Sequence, residues 1–395
     1  QACDHYHRYR EDVALMKKMG LKSYRFSVSW SRILPDGTEK INQKGIEFYQ
    51  SLVRELKAAG IEPMVTLYHW DLPYALYLQG GWKNPQIPDW FAAYTKIVVE
   101  ALSDQVQYWM TLNEPQCFVG IGHLQGRHAP FLDEPASLRP VTRHVLLAHA
   151  KAVQTIRQYA KLPPKVGYAP TGPVFSPCGD ESEAAIAEAY RRTMEVEGCY
   201  SISWWCDPVL LGRVPEPMAK ALGADVFTPQ ELELLHQPLD YLGFNVYNAC
   251  AAQQPGSEYT ANTWQGSPRT AMEWPITPDC IYWAIRFLNQ RYGRPILITE
   301  NGMANTDFVM LDGKVHDPQR IDYVHRHLLA ARRALQEGYP LIGYTYWSIM
   351  DNYEWAEGYS KRFGLIYVDY RTMERIPKDS AAWYAHVIAT NGSEL

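Results

Sequence analysis

The sequence predicts an α/β fold in which a parallel sheet closes into a barrel. Three observations carry this. Strand-like and helical patterns alternate from end to end of the 395 residues, the mark of a parallel sheet covered by helices. Polar and aromatic residues stand at the C-terminal ends of nearly every strand. A barrel brings those ends to one mouth, whereas an open sheet leaves most of them away from its switch point. No Pro/Ser linker or charge block divides the chain, so residues 1–395 read as one domain.

The elements follow in order. Residues 4–19 read as a helix, with Val13, Leu15, Met16 and Met19 apolar, Lys17 and Lys18 in the last turn, and Gly20 at the end. Residues 21–30 are strand-like, rich in aromatic and β-branched side chains. A helix over about 43–59 stops at Gly60, and a strand at 62–69 follows. Next come a helix at 88–102 and a strand at 107–112. Later strands are expected at 165–169, 241–247, 295–299 and 341–347, with helices at 142–161, 182–198, 277–292 and 318–337. Residues 249–275, rich in Gln, Gly, Ser, Thr and Pro, read as a long loop.

Composition removes several function classes. Charged residues make up 21% of the chain, the formal net charge is −5, and no basic stripe suggests nucleic acid. No apolar run approaches the ~20 residues of a membrane span. Seven Cys, at 3, 117, 178, 199, 206, 250 and 280, show no CxxC or Cys/His ligand spacing. They read as reduced thiols of a cytoplasmic protein. A metal-dependent barrel hydrolase needs clustered His and Asp at strand ends, and only His69 stands at one. No metal and no cofactor is therefore expected. The 13 Trp and 27 Tyr suit a large core or a sugar site, where flat rings stack on pyranose faces.

Two carboxylates end two of the strands. Glu114 lies in Thr111-Leu-Asn-Glu-Pro115, and Glu300 lies in Ile298-Thr-Glu-Asn-Gly302. A lone Glu at a strand end is usually solvated or caps a helix. Two of them, each beside an Asn and each after an apolar strand, suit glycosidic cleavage. That reaction needs one acid to protonate the leaving oxygen and one carboxylate on the other face of the sugar. Residues distant in sequence can meet at one barrel mouth.

These motifs resemble those of glycoside hydrolase family 1, the β-glucosidase family. Further matching segments are 24–30 (Tyr-Arg-Phe-Ser-Val-Ser-Trp), 68–73 (Tyr-His-Trp-Asp-Leu-Pro), 243–247 (Gly-Phe-Asn-Val-Tyr), 351–355 (Asp-Asn-Tyr-Glu-Trp) and 358–369. The resemblance implies a (β/α)8 TIM barrel and a retaining β-glycosidase, with Glu114 as acid/base and Glu300 as nucleophile. It implies that Arg25 pairs with Glu300, that Tyr247 hydrogen-bonds it, and that Asn113 meets the sugar 2-hydroxyl. It further implies that the charge on Glu300 keeps Glu114 protonated until Glu300 is glycosylated. His69, Trp70, Asn245, Trp347, Glu354, Trp355 and Phe363 match sugar-binding positions. Family members that take 6-phosphorylated sugars lack the acid at the position of Glu354. An unphosphorylated glycone is expected, glucose first, with galactose and fucose as alternatives. Trp274, Phe118 and His123 are candidates for the leaving-group side, which residues 116–131 and 249–275 are expected to shape.

The resemblance also implies a first strand of the type F-x-W-G-x-A-T and, after it, a glycone-binding Gln. The sequence opens instead with Gln1-Ala-Cys-Asp-His-Tyr-His-Arg-Tyr9, which matches the family's next segment. Seven barrel strands are therefore expected where the family has eight. A missing strand leaves two unpaired edges, which a partner chain, as in a homo-oligomer, could cover. Two functions follow: a retaining β-glucosidase, or a catalytically impaired sugar-binding protein on the same fold.

Overall fold

The computed structural model describes residues 2–252 and 266–395. In chain order its strands are β1 (Ser23–Ser27), β2 (Glu62–Tyr68), β3 (Tyr108–Asn113), β4 (Lys165–Ala169), β5 (Val174–Ser176), β6 (Leu242–Asn245), β7 (Ala249–Ala251), β8 (Ile296–Asn301), β9 (Leu341–Tyr346), β10 (Ile366–Val368) and β11 (Arg375–Pro377). β1, β2, β3 and β4 pair in that order, all in parallel, and β6, β8 and β9 form a second parallel arc. Backbone bonds from Asp240 N to Val166 O (2.9 Å) and from Asn245 N to Pro170 O (3.0 Å) bring β6 against β4. The two arcs thus make one wall of seven strands, the seven that the sequence predicts. The fold is of the (β/α)8 barrel class.

Helices clothe this wall as the periodicity requires. In Gln43–Ala58 the buried Ile46, Tyr49, Leu52, Val53 and Leu56 recur at helical spacing and form the inward stripe. Gly20 and Gly60 lie just beyond the ends of two helices with φ of 75° each, a left-handed turn that glycine adopts without strain. Three helices, Ile202–Leu210, Glu216–Leu222 and Pro229–Leu235, fall between the predicted helix at 182–198 and the predicted strand at 241–247.

The barrel interior is layered. Met64, Met110, Ala169, Tyr241 and Leu297 form an apolar cluster of their own. Two residues further along their strands come Thr66 and Thr299, on the same face by strand alternation. Arg25 bonds Thr66 Oγ1 from its Nε at 3.1 Å, so a polar layer lies above the apolar one. The functional side chains stand on that layer.

Among the described residues, β1 and β9 each pair with one neighbouring strand. A cavity of about 420 Å³ lies between them, lined by residues 23–27 of β1, by Tyr344 and Tyr346 of β9, and by Leu21 and Ile388 below. β9 accordingly has no fully buried residue.

The chain beyond β9 is held by buried ions. Lys378 Nζ lies 2.5 Å from Asp307 and 2.8 Å from Asp351. Arg362 reaches Asp351 at 2.6 Å, and Arg320 pairs with Asp307 at 2.6 Å and with Asp317. Three carboxylates thus meet three cations, and the segment from Trp347 to Phe363 is pinned at Asp351 and Arg362. Lys378→Met leaves Asp307 and Asp351 short of a cation in a site where Lys378 is 1% exposed. It should cost about 3–5 kcal/mol, read from denaturant midpoints. A loss below about 1 kcal/mol would show that the lattice does not hold this segment.

Candidate active site

β3 and β8 bring the two motif glutamates to the same mouth. β3 ends at Asn113, and Glu114 turns out of the strand at φ 43°, a left-handed conformation that a glutamate adopts only under constraint. Its N–H donates to Ala169 O at 2.8 Å, which supplies that constraint. β8 is buried along its whole length and carries Glu300. Glu114 is 7% exposed and Glu300 is 5% exposed, so both carboxyls are largely stripped of water.

Arg25 organises the floor. Its Nη1 donates to Glu300 Oε1 at 2.6 Å and to Thr299 O at 3.3 Å, and its Nη2 donates to Asn113 Oδ1 at 2.5 Å. Tyr247 OH donates to the other oxygen of Glu300 at 2.7 Å. Asn245 Nδ2 donates to Asn113 Oδ1 at 3.1 Å and to Glu114 Oε1 at 2.8 Å. One chain of hydrogen bonds therefore runs from Glu300 through Arg25, Asn113 and Asn245 to Glu114. Asn113 Nδ2 lies 3.1 Å from His69 Nε2. Burial, and then the charge of Arg25, push the His69 pKa well below its usual value, so the ring is neutral and accepts that bond.

Environment separates the carboxyls. Burial pushes Glu114 up to about 8, with the charge of Glu300 as the second cause. Asn245, Cys117 and Arg25 act in the opposite direction. Glu114 thus carries a proton at neutral pH, beside a Glu300 paired with a guanidinium. Glu354 rises to about 7, again through burial first and the Glu300 charge second.

Rings wall the cleft. His69 stacks near-parallel on Trp347 (5.8 Å between centroids) and on Trp355 (6.0 Å). Trp70 lies 4.9 Å from Trp355, and its Nε1 donates to Asn113 O at 3.0 Å. Trp70 and Trp355 have φ of 79° and 44°, so both rings are aimed by a left-handed backbone. Trp274, Tyr247 and Phe363 form a second aromatic group, with centroids 5.1–6.2 Å apart.

Two candidates for the leaving-group side are buried. Phe118 packs among Tyr68 and Trp82 at 2% exposure, and His123 is equally buried with Nδ1 against Phe118 O. The turn after Pro115 winds both into the core. Part of the loop predicted at 249–275 lies outside the described residues. Asn245 bonds within the floor: Thr299 Oγ1 donates to its Oδ1 at 2.6 Å while its Nδ2 serves Asn113 and Glu114. Thr66, Thr299 and Cys117 belong to the site and were not picked out from sequence. Alternation from Arg25 and Glu300 could have found the threonines, and the turn spacing from Glu114 could have found the cysteine. Among the described residues no three His, Cys, Asp or Glu side chains are grouped as metal ligands would be, and no helix is long and apolar enough to cross a membrane.

A protonated carboxyl and an ion-paired carboxylate at one barrel mouth, beside flat rings, can cleave a glycosidic bond. Fold and site together define a glycoside hydrolase. The chain belongs to glycosyl hydrolase family 1, whose model matches residues 1–393. It is 42% identical to β-glucosidase A of Thermotoga maritima over all of this chain and 88% of that protein. It is also 42% identical to a 1,4-β-D-glucan glucohydrolase of Thermotoga neapolitana over 99% of this chain and 88% of that one. The T. maritima β-glucosidase solved with glucoimidazole superposes at a TM-score of 0.90 with 41% identity, over 99% of this chain and 88% of the other.

The electrostatic reading has a direct check. In Glu300→Gln the charge that raises Glu114 is gone, so the titration of Glu114 should fall below its value of about 8. Carbon NMR of glutamate-labelled protein reads this, and an unchanged titration would show that burial alone sets it.

Proposed function

We propose that the chain is a retaining β-glucosidase acting on unphosphorylated β-D-glucosides. The observation that carries this reading is the unequal state of the two carboxyls, one protonated by its surroundings and the other held by Arg25 and Tyr247. Glu300 attacks the anomeric carbon while Glu114 gives its proton to the leaving oxygen. A glucosyl ester on Glu300 results, and the aglycone departs as an alcohol. With the Glu300 charge consumed, Glu114 becomes a base. It takes a proton from water as the water oxygen attacks the same carbon, and Glu300 leaves as a carboxylate. Two displacements return the β configuration.

The remaining residues fit this course. Asn113 Nδ2 uses one hydrogen on His69 and keeps the other for a 2-hydroxyl. We assign Glu354, Trp347 and Trp355 to the glycone, where an ionised Glu354 would accept bonds from adjacent hydroxyls and repel a phosphate. Family relatives carry the name β-glucosidase, which supports turnover of glucosides. The alternative of a catalytically impaired binder gains no support from them. The thiols Cys3, Cys117, Cys199, Cys206, Cys250 and Cys280 suit a reducing compartment, the cytoplasm.

Three measurements test the reading. Proton NMR of early hydrolysis should show β-glucose first, and α-glucose first would contradict retention. Glu300→Gly should lower kcat on nitrophenyl β-glucoside by at least about 10⁴-fold, with azide or fluoride restoring turnover of activated β-glucosides as the anion displaces the aglycone to give the α-glucosyl azide or fluoride. Nitrophenyl glucoside should be preferred over its 6-phosphate; the reverse preference would refute the role given to Glu354.

A further inference from the structure

Cys117 follows Glu114 by one turn. Its backbone N–H closes that turn on Glu114 O at 2.9 Å. The same turn carries the thiol to Glu114 Oε2, at 3.2 Å. The other oxygen, Oε1, accepts from Asn245 Nδ2 at 2.8 Å. Both oxygens accept, Oε1 from an amide and Oε2 from a thiol, and the thiol is the weaker donor, so Oε2 is the freer of the two to carry the proton. The thiol therefore touches the oxygen that gives and takes the proton.

The carboxyl needs holding. Glu114 sits at φ 43°, and such a backbone persists only where surrounding contacts over-determine it. The thiol suits the task. Burial first, and the Glu114 charge next, push its pKa well above the usual thiol range, so it stays S–H and stays a donor. It is also a weak donor, able to hold an anion without making the neutral acid rare. The other titratable or charged groups that face Glu114 are Glu300 on β8, Arg25 on β1 and Tyr247 just after β6. All three come from distant strands. Cys117 is bound to Glu114 through its own turn.

We propose that Cys117 is a positioning residue for the acid/base: its S–H holds Glu114 Oε2 in the orientation of proton transfer and steadies the carboxylate when it acts as base. This rests on the reading of Glu114 as acid/base. A bond to the ionised form favours ionisation, so its loss raises the pH at which the proton leaves.

The test compares wild type, Cys117→Ala and Cys117→Ser on nitrophenyl and 2,4-dinitrophenyl β-glucosides. The first leaving group needs protonation far more than the second. In Cys117→Ala the alkaline limb of kcat/KM should move up by roughly half a pH unit. The nitrophenyl rate should fall about three- to tenfold while the dinitrophenyl rate holds. Cys117→Ser, with a stronger donor of similar shape, should return the limb to the wild-type position or below. An unmoved limb, or an equal loss on both substrates, would overturn the proposal and leave Cys117 as packing. If Cys117→Ala does not fold, the direction of the Cys117→Ser limb decides. Glu114→Ala separates the two readings. It should lose nitrophenyl turnover and keep dinitrophenyl turnover in azide; if it does while the Cys117 variants are silent, only the Cys117 proposal falls.

Discussion

The guanidinium of Arg25 ties four strands together beneath the cleft. From β1 it reaches Thr66 on β2, Asn113 on β3, and Thr299 and Glu300 on β8. A lysine could not do this, because its donors radiate from one point and lack a planar fork. Arg25 stands on β1, which among the described residues pairs with β2. The fork links β1 to β8 of the second arc through the barrel interior. One charged group therefore links the two arcs and supplies the counter-ion of Glu300.

The unequal carboxyls follow from that placement. Burial alone would favour the neutral form of either. Arg25 and Tyr247 spend their bonds on Glu300, while Glu114 receives an amide and a thiol. The pair is thus sorted by its donors, and the charge left on Glu300 feeds back on Glu114 and on Glu354. The ion lattice around Lys378 does comparable work further out. By pinning Asp351 and Arg362, it fixes both flanks of the loop that presents Glu354 and Trp355.

Much of this was legible in the sequence, for physical reasons. Each barrel strand carries β-branched or aromatic residues, fewest in β6, and glycines mark the ends of the helices before β1 and β2. Glu114 and Glu300 stand out because both end apolar strands beside an asparagine. The rest turns on geometry that residue types do not encode. The ladder of β6 and β8 shifts register between Phe244 and Asn245, where Asn245 turns its amide to Asn113 and Glu114. The turn after Pro115 buries Phe118 and His123, a winding with no local signature. Ile202–Leu210 is buried on every side, so no amphipathic period reveals it. Pro229–Leu235 was readable: Thr228 and Glu231 exchange both bonds of a capping box.

The account stands on Glu300 as the attacking carboxylate. A 2-deoxy-2-fluoro-β-glucoside with a good leaving group should arrest the enzyme at its glucosyl ester, because the fluorine slows the second displacement. Peptide mapping by mass spectrometry should then find one fluoroglucosyl group per chain, on Glu300. A label on Glu114 or Glu354, or continued turnover with no label anywhere, would contradict it.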